Sequence, residues 1–315
     1  MKKIALLLSL VLLVCLCASA LAETDGIYIK EEDGGTFRPL PINLEGGSPL
    51  PSKYKYNSKY QVYEDPTIRV ERYRVEKSKW DLTYYYAIIT IRDPSQLRTA
   101  SADDTFSSNT RHPVRAIARR KNAVIAIDGD YCAAFSGNKS NNYILRQGTI
   151  YRDTVEKGLD LLLIDEDGDF HVITADQDLE AVDKTQVDGK KCVNVLQFGP
   201  ALVIDGQPVD DASLLDYSHS PAYSEPDRLN QRMAIAQIDK LTYMVVCCAH
   251  YGANLVDFRD LIMSIADVKI AYTLDGGNST QMVFLNRKIN NINQGDDSER
   301  PVTDIIYFAS AWFMD

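Results

Sequence analysis

The sequence predicts an α+β fold, in which a mixed, strand-rich sheet assembly carries a few covering helices. Segments rich in apolar, aromatic and β-branched residues, bounded by Gly, Pro or Asp, outnumber the segments with helical periodicity. Strands and helices show no regular βαβ alternation, so a doubly wound parallel sheet is not expected. The 315 residues are 45% hydrophobic and 25% charged, as is typical of a packed globular chain.

The first 22 residues have the pattern of a secretory signal peptide. Lys2 and Lys3 precede an apolar run from Ile4 to Leu16, which is shorter than the roughly 20 residues that a transmembrane helix needs. We therefore expect cleavage after Ala22, no transmembrane segment afterwards, and a secreted or extracytoplasmic protein of the cell envelope.

Residues 23–75 are predicted to form an extended N-terminal arm that contains Gly, Pro and Tyr. Glycine pairs at 34–35 and 46–47 and several prolines interrupt this segment, and its few apolar residues follow no regular spacing. Residues 76–315 show the pattern of a globular chain without a further linker. They are expected to form one domain.

Strands are predicted where apolar runs end at turn residues. They are expected at 84–91, 123–127, 159–164, 170–173, 193–196, 201–204, 233–238, 241–249 and 268–274. The acidic turn at 165–169 indicates a hairpin between two of these strands.

Two helices are predicted from their caps and apolar faces. The first covers 113–121, where a proline at the first turn precedes three apolar residues on one face. The second begins after Asn254, a capping residue, and carries an apolar stripe through Phe258, Leu261, Ile262 and Ile265.

Charge and cysteine usage exclude several classes of partner and cofactor. The formal net charge of −10 offers no global attraction for nucleic acid, so we expect no nucleic-acid partner. The cysteines at 132, 192, 247 and 248 lack zinc-ligand spacing; Cys247 and Cys248 are expected to pack in the core on opposite faces of one strand, and a single disulfide stays possible. We predict no cofactor and no metal ligands, while a bound divalent metal and the oligomeric state stay open.

Two carboxylates stand where predicted buried strands end. Asp275 and Asp128 are each followed by glycine, so a rigid strand holds the carboxylate while the backbone beyond it stays accessible to a ligand. After Asp275 come Gly276, Gly277 and Asn278, and then the hydroxyls of Ser279 and Thr280, which suit an anionic or hydroxyl-rich ligand. A simple tight turn is the alternative at both positions.

The sequence lacks the phosphate-binding loop GxxxxGK[ST], the zinc motif HExxH and the nucleophile motif GxSxG. Metal catalysis and a serine triad are therefore disfavoured. Taken alone, Arg232 and Arg300 would be interpreted as solvated or paired surface residues.

Five segments in order resemble the phosphodiester glycosidase family over about three-quarters of the chain. The most specific is LDGGNSTQMV at 274–283, which is similar to the family's LDGGGSSTMV. The others are AIDGDY at 126–131, FGPALV at 198–203, NQRMAI at 230–235 and ERPV at 299–302. The chain departs from the family pattern at Asp128, where Asn is common, at Asn278, which replaces a third Gly, and before Arg232.

The resemblance implies a secreted hydrolase that cleaves the glycosidic bond of a sugar-1-phosphodiester in cell-envelope or extracellular glycans, with N-acetylglucosamine as the candidate sugar. A phosphate is a good leaving group, so such a site needs a carboxylate for the anomeric carbon and a cationic clamp for the phosphate. We expect Asp275 to be that carboxylate and Asp128 its partner base or a sugar-hydroxyl acceptor. Arg232 and Arg300 would form the clamp.

The remaining predicted substrate-binding residues are Gly276, Gly277, Asn278, Ser279, Thr280 and Asp130. The expected partner is a carbohydrate or sugar-phosphate substrate. Two other functions stay open: a non-catalytic glycan-binding or sugar-phosphate-binding protein of envelope polysaccharide assembly, and an ordinary polysaccharide hydrolase that does not depend on the arginines.

Overall fold

The structure, a computed structural model, describes residues 34–76, 82–106, 108–132, 142–217, 227–249, 251–290 and 299–314. The predicted signal peptide lies outside these residues. Strands greatly outnumber helices in the described part, which confirms the α+β, strand-rich assembly with a few covering helices. All the strand pairs described below are antiparallel.

The largest sheet contains nine strands. They are β2 (Tyr56–Asn57), β3 (Val62–Asp65), β4 (Ile68–Val75), β5 (Tyr84–Ile91), β14 (Ala201–Ile204), β15 (Gln207–Pro208), β16 (Met233–Asp239), β17 (Thr242–Cys248) and β18 (Ile270–Leu274). Their spatial order is β15-β14-β18-β16-β17-β5-β4-β3-β2. We call this the large sheet.

A five-stranded sheet, called the small sheet, packs against one face of the large sheet. Its strands are β6 (Leu97–Ser101), β7 (Ile125–Asp128), β19 (Met282–Phe284), β20 (Arg287–Lys288) and β21 (Asp304–Phe308). Their order is β20-β19-β7-β21-β6.

The remaining strands form two further sheets. One contains β8 (Ile144–Arg146), β9 (Thr149–Arg152), β10 (Leu161–Asp165), β11 (Phe170–Ile173), β12 (Gln186–Val187) and β13 (Lys190–Gln197). The other pairs β1 (Gly35–Phe37) with β22 (Trp312–Met314). The predicted hairpin is confirmed, because β10 pairs with β11 across the acidic turn.

Three helices cover the sheets of the described part: α1 (Val114–Arg120), α2 (Asp211–Leu215) and α3 (Leu255–Ile265). The side chain of Asn254 accepts the backbone N–H of Asp257 at 2.7 Å, so the predicted cap of α3 is confirmed. Helix α3 buries Phe258, Leu261 and Ile262 against the large sheet, whereas α1 covers the outer face of the small sheet.

Strand β17 shows why the core strands are almost continuously apolar. Tyr243, Val245 and Cys247 face the core between the two sheets, and the intervening residues, Cys248 among them, face the helices. A strand that is buried on both faces needs apolar side chains at every position, because successive side chains point to opposite sides. Cys247 and Cys248 are buried free thiols on opposite faces, as predicted, and Cys132 and Cys192 are also free.

The second half of the predicted N-terminal arm lies inside the domain. Strand β4 pairs with β5 over eight residues, from Ile68–Ile91 to Val75–Tyr84, and Tyr63 of β3 is 1% exposed. A domain boundary at residue 75 would therefore divide the large sheet. Alternating apolar and charged residues in β4 pack as a half-buried strand that composition alone did not separate from a loop. No helix within the described residues is long and apolar enough to cross a membrane.

Candidate active site

The large and small sheets meet where β18 and β7 end. The backbone N–H of Asp275, just after β18, donates to the carbonyl of Gly129, just after β7, at 3.1 Å. A Cβ at Gly129 would lie 2.0 Å from Asp304 Oδ2, so only glycine fits between these groups. The two Asp-Gly segments that the sequence singled out are thus held side by side.

A second junction brings two arginines to the same place. His112 and Val302 exchange backbone hydrogen bonds of 3.0 and 2.9 Å, which join the loop before α1 to the loop before β21. Arg111 and Arg300 flank this bridge and both line the cleft beside Asp275. Burial, together with the positive charge of Arg300, lowers the pKa of Arg111.

We call this opening the Asp275 cleft. Its empty space is about 270 Å³, which includes space open to solvent. Its walls are Arg111, Gly129, Tyr131, Asp275, Ser279, Arg300, Pro301, Val302, Thr303 and Asp304.

Asp275 is the carboxylate that faces the cleft. Burial raises its pKa to about 6, although hydrogen bonds from the Ser279 side chain and the Gly276 N–H, and the charge of Arg300, favour the ionised form. The carboxyl therefore exchanges its proton near neutral pH, which suits a group that must act as a base, a nucleophile or an electrostatic partner.

Asp128 lies beneath the cleft and does not line it. Its side chain is fully buried, and Oδ1 accepts the backbone N–H of Gln281 at 2.8 Å. Burial and then the charge of Asp275 raise its pKa well above the ordinary range, so it stays protonated. The geometry gives Asp128 a positioning role under the 275–281 loop and does not support the predicted contact with a sugar hydroxyl.

Asp130 is also withdrawn from any ligand. Its side chain forms a buried ion pair with Arg146 at 2.6 Å through Oδ1, while Oδ2 accepts the N–H of Gln197 at 2.8 Å. Both carboxylate oxygens are occupied and neither residue is exposed. The predicted substrate-binding role of Asp130 is therefore replaced by a structural one.

Asp130, Cys132 and Asp304 are a group in the described part that could in principle hold a metal ion. Arg146 already supplies a cation to this group, since its guanidinium is also 3.8 Å from Asp304 Oδ2. Burial and the neighbouring carboxylates raise the pKa of Cys132, so its thiol stays protonated and is a poor ligand. The donor set does not fit a divalent ion.

Arg232 is not brought to the Asp275 cleft. Its Nε donates to the carbonyl of Ala253 at 3.1 Å and its Nη2 to that of Arg228, also at 3.1 Å. With 7% of its surface exposed, this guanidinium ties two loops together. The predicted clamp thus retains Arg300, and Arg111 takes the place expected for Arg232.

The glycine-rich segment supplies fewer free groups than predicted. The N–H of Gly276 bonds the Asp275 carboxylate, and that of Gly277 bonds the carbonyl of Gln231 at 2.8 Å. Thr280 is fully buried and Asn278 is exposed outside the lining, whereas Ser279 lines the cleft. The positive φ of Gly277, +59°, explains why glycine stands there.

Sequence reasoning missed four residues of the site: Arg111, Tyr131, Asp304 and, behind them, Arg146. Tyr131 is the last residue of the segment AIDGDY, and Asp304 lies two residues after the segment ERPV. Both could have been selected for that reason. Arg111 has no such signal, because its place depends on the pairing of residues distant in the chain.

Comparison with known proteins shows the family and the fold. The profile of the phosphodiester glycosidase family matches residues 121–309, which is more than half of the chain. A solved structure of the zebrafish N-acetylglucosamine-1-phosphodiester alpha-N-acetylglucosaminidase catalytic domain, auto-inhibited by its pro-peptide, superposes with a TM-score of 0.61 at 13% identity. The match covers 92% of this chain and 99% of that one.

Two further matches extend the comparison. An uncharacterized SPbeta prophage-derived protein of Bacillus subtilis strain 168, YomE, is 25% identical over 264 residues, which are 77% of this chain but 37% of that protein. A Burkholderia pseudomallei protein has a TM-score of 0.50 at 13% identity, with 73% and 74% of the two chains covered. This chain therefore spans little more than a third of the Bacillus relative. The family profile shows that the chain belongs to the phosphodiester glycosidase family.

Proposed function

We propose that the protein is a secreted hydrolase that cleaves the bond between the anomeric carbon of a sugar and the oxygen of a phosphodiester. The observation that carries the proposal is the carboxylate of Asp275 in a small cleft that two arginines, Arg111 and Arg300, also line. Family membership supports a glycosidase-type activity, and this residue set suits a sugar phosphate in particular.

The two guanidiniums account for the phosphodiester. Each can engage phosphate oxygens through two parallel N–H donors, and together they offset the negative charge that gathers on the leaving phosphate. Ordinary glycosidases also protonate an alkoxide leaving group with a second carboxylic acid. A phosphate leaves as a stable anion, so the protonated and buried Asp128 is not required to reach the substrate.

Asp275 is placed to act at the anomeric carbon. When ionised it stabilises the positive charge that develops as the C1–O bond breaks and the bonding electrons pass to the phosphate oxygen. Water then supplies the new oxygen at C1, and its proton passes to Asp275 or to solvent. The Ser279 hydroxyl, bonded to Asp275, holds the carboxylate in this orientation.

The substrate and the location complete the proposal. The zebrafish structure is that of an enzyme for N-acetylglucosamine-1-phosphodiesters, so this sugar is the first candidate. The signal peptide pattern directs the protein out of the cytoplasm. The proposed substrates are sugar-1-phosphodiesters of cell-envelope or extracellular glycans. A non-catalytic glycan-binding role is the second candidate, because Asn278 departs from the family's third glycine.

The direct test is sugar release from an α-N-acetylglucosamine 1-phosphodiester by protein expressed from the full sequence and purified, with and without a chelator. Release that persists in chelator and is lost in Asp275→Asn would support the hydrolase. Thermal stabilisation by the substrate without release would favour the binding role instead. If neither release nor stabilisation occurs with this sugar or with a panel of other sugar-1-phosphodiesters, the proposal is wrong.

A further inference from the structure

A second concave surface lies at the other end of strands β7 and β19 from the Asp275 cleft. The strands pair from Ile127–Met282, near the cleft, to Ile125–Phe284, where this surface begins. Its empty space, which includes space open to solvent, is about 1180 Å³, against about 270 Å³ for the cleft. The two openings share no lining residue. We call it the basic groove and define it by Lys53, Tyr56, Arg72, Arg119, Phe284 and Arg287.

Four separate parts of the chain build the basic groove. Lys53 and Tyr56 come from the start of β2 and the turn before it, and Arg72 comes from β4. The end of helix α1 supplies Arg119, and the β19–β20 hairpin supplies Phe284 and Arg287. Tyr56, which is partly exposed, packs edge-on against the buried Phe284, with ring centroids 5.6 Å apart. The cations therefore surround an aromatic pair.

The charge of the groove is opposite to that of the whole molecule. Its lining includes four cationic side chains and no acidic one, although the chain carries a net charge of −10. Within the described residues none of these four forms a salt bridge, whereas Arg69 on the neighbouring part of β4 pairs with two glutamates at 2.5 and 2.8 Å. Like charges that are gathered without counter-charges destabilise the empty protein and favour an anionic ligand.

A further observation points to a ligand. Arg72 lies over the Phe284 ring and donates to Gln61, yet its buried Nε has no hydrogen-bond partner.

We propose that the basic groove binds an anionic glycan chain. Guanidinium and ammonium groups recognise its carboxylates or phosphates, and the partly exposed Tyr56 ring covers the apolar face of a sugar ring. A nucleic acid is less well matched, because the acidic surface outside the groove repels a long phosphate backbone. The site is remote from Asp275, so its binding can be measured without turnover and does not depend on the proposed hydrolysis.

The test compares two double variants with equal changes of charge. Arg119→Glu with Arg287→Glu reverses two exposed cations of the groove, and Lys157→Glu with Lys191→Glu reverses two exposed cations elsewhere. Binding is measured at low and at physiological salt with a sugar-phosphate polymer, polygalacturonate, neutral dextran and a single-stranded oligonucleotide. Thermal unfolding of each variant establishes that it is folded.

We expect the groove variant to lose at least about tenfold in affinity for an anionic polymer, and the control pair to lose much less. Binding of only one polymer would identify phosphate or carboxylate as the recognised group and support the proposal. Equal losses in both variants, equal binding of dextran, no binding of either anionic polymer, or tighter binding of the oligonucleotide would overturn it. If the groove variant fails to fold, Arg119→Gln and Arg287→Gln are measured singly, and an unchanged affinity in both would overturn the proposal.

Discussion

The backbone N–H of Asp275 donates to the carbonyl of Gly129 across 3.1 Å, and this single hydrogen bond joins the ends of two strands that belong to different sheets. Asp275 therefore projects into the cleft from a position fixed on both sides. The arrangement makes definite predictions about which residues act on a substrate and which only support those that do.

Replacement of Asp275 by Asn should abolish most of the turnover and leave the protein folded. The change keeps the shape of the side chain but removes the negative charge, and a positioned acid–base group typically contributes about 10²–10⁴ in rate. The measurement is sugar release together with a melting curve. A variant that keeps more than about a tenth of wild-type kcat would show that Asp275 is not the reacting carboxylate.

The same substitution should change how stability depends on pH. The pKa of Asp275 is about 6 in the folded protein and 3.8 in an unfolded chain, so between these values the folded state binds more protons. The free energy of unfolding of the wild-type protein therefore falls as pH rises from 4 to 6, and Asp275→Asn removes this contribution. We expect the free energy of unfolding of the variant, measured in urea, to increase relative to that of wild type across this pH range. A constant difference would contradict the raised pKa.

Activity should rise with pH and level off above an apparent pKa of about 6, since the proposed role needs the ionised form of Asp275. Ser279 and Arg300 favour that form. Ser279→Ala should therefore move the midpoint of kcat/KM to higher pH. An unchanged midpoint would indicate that another group controls the profile.

The arginines should separate into two classes. Arg111→Ala and Arg300→Ala should raise KM for a phosphodiester by about tenfold or more with a small change in melting temperature, because each loses a charged hydrogen bond to phosphate. Arg232→Ala should instead lower the free energy of unfolding by about 2 kcal/mol, since the buried Ala253 carbonyl and the partly buried Arg228 carbonyl lose their donor. Equal effects of all three substitutions on KM would show that Arg232 also binds the phosphate, as the sequence predicted.

Gly129→Ala should damage both stability and activity. The added methyl would lie 2.0 Å from a buried Asp304 oxygen, and crowding of this kind costs about 1–3 kcal/mol or more. Gly189→Ala is the matched control: its φ is +79° and nothing lies within 4 Å, so only about 1 kcal/mol of backbone strain is expected. Comparable melting temperatures and activities for the two variants would contradict the close packing at Gly129.

The sequence predicted the strands and Asp275 because both leave local signals. The run that forms β17 is apolar at every position after Thr242, and Asp275 stands between a buried strand and two glycines. The partners of polar residues leave no local signal. The sequence indicates that Asp130 is a ligand-binding acid, but in the structure it forms an ion pair with Arg146, which lies 16 residues away in the chain. Arg232 and Arg111 can be distinguished only by the loops that surround them.

The loop from Asp275 to Gln281 leaves the large sheet after β18 and enters the small sheet at β19. The residues proposed to act on the sugar thus lie where the two sheet layers, the large and the small sheet, meet. Any shift of one layer against the other displaces them. Core substitutions far from the cleft, at the interface of the layers, should then impair catalysis without touching substrate. In natural variants of this fold the spacing between the layers would be held more constant than the surface around the opening, and loss of activity on heating would report the separation of the layers.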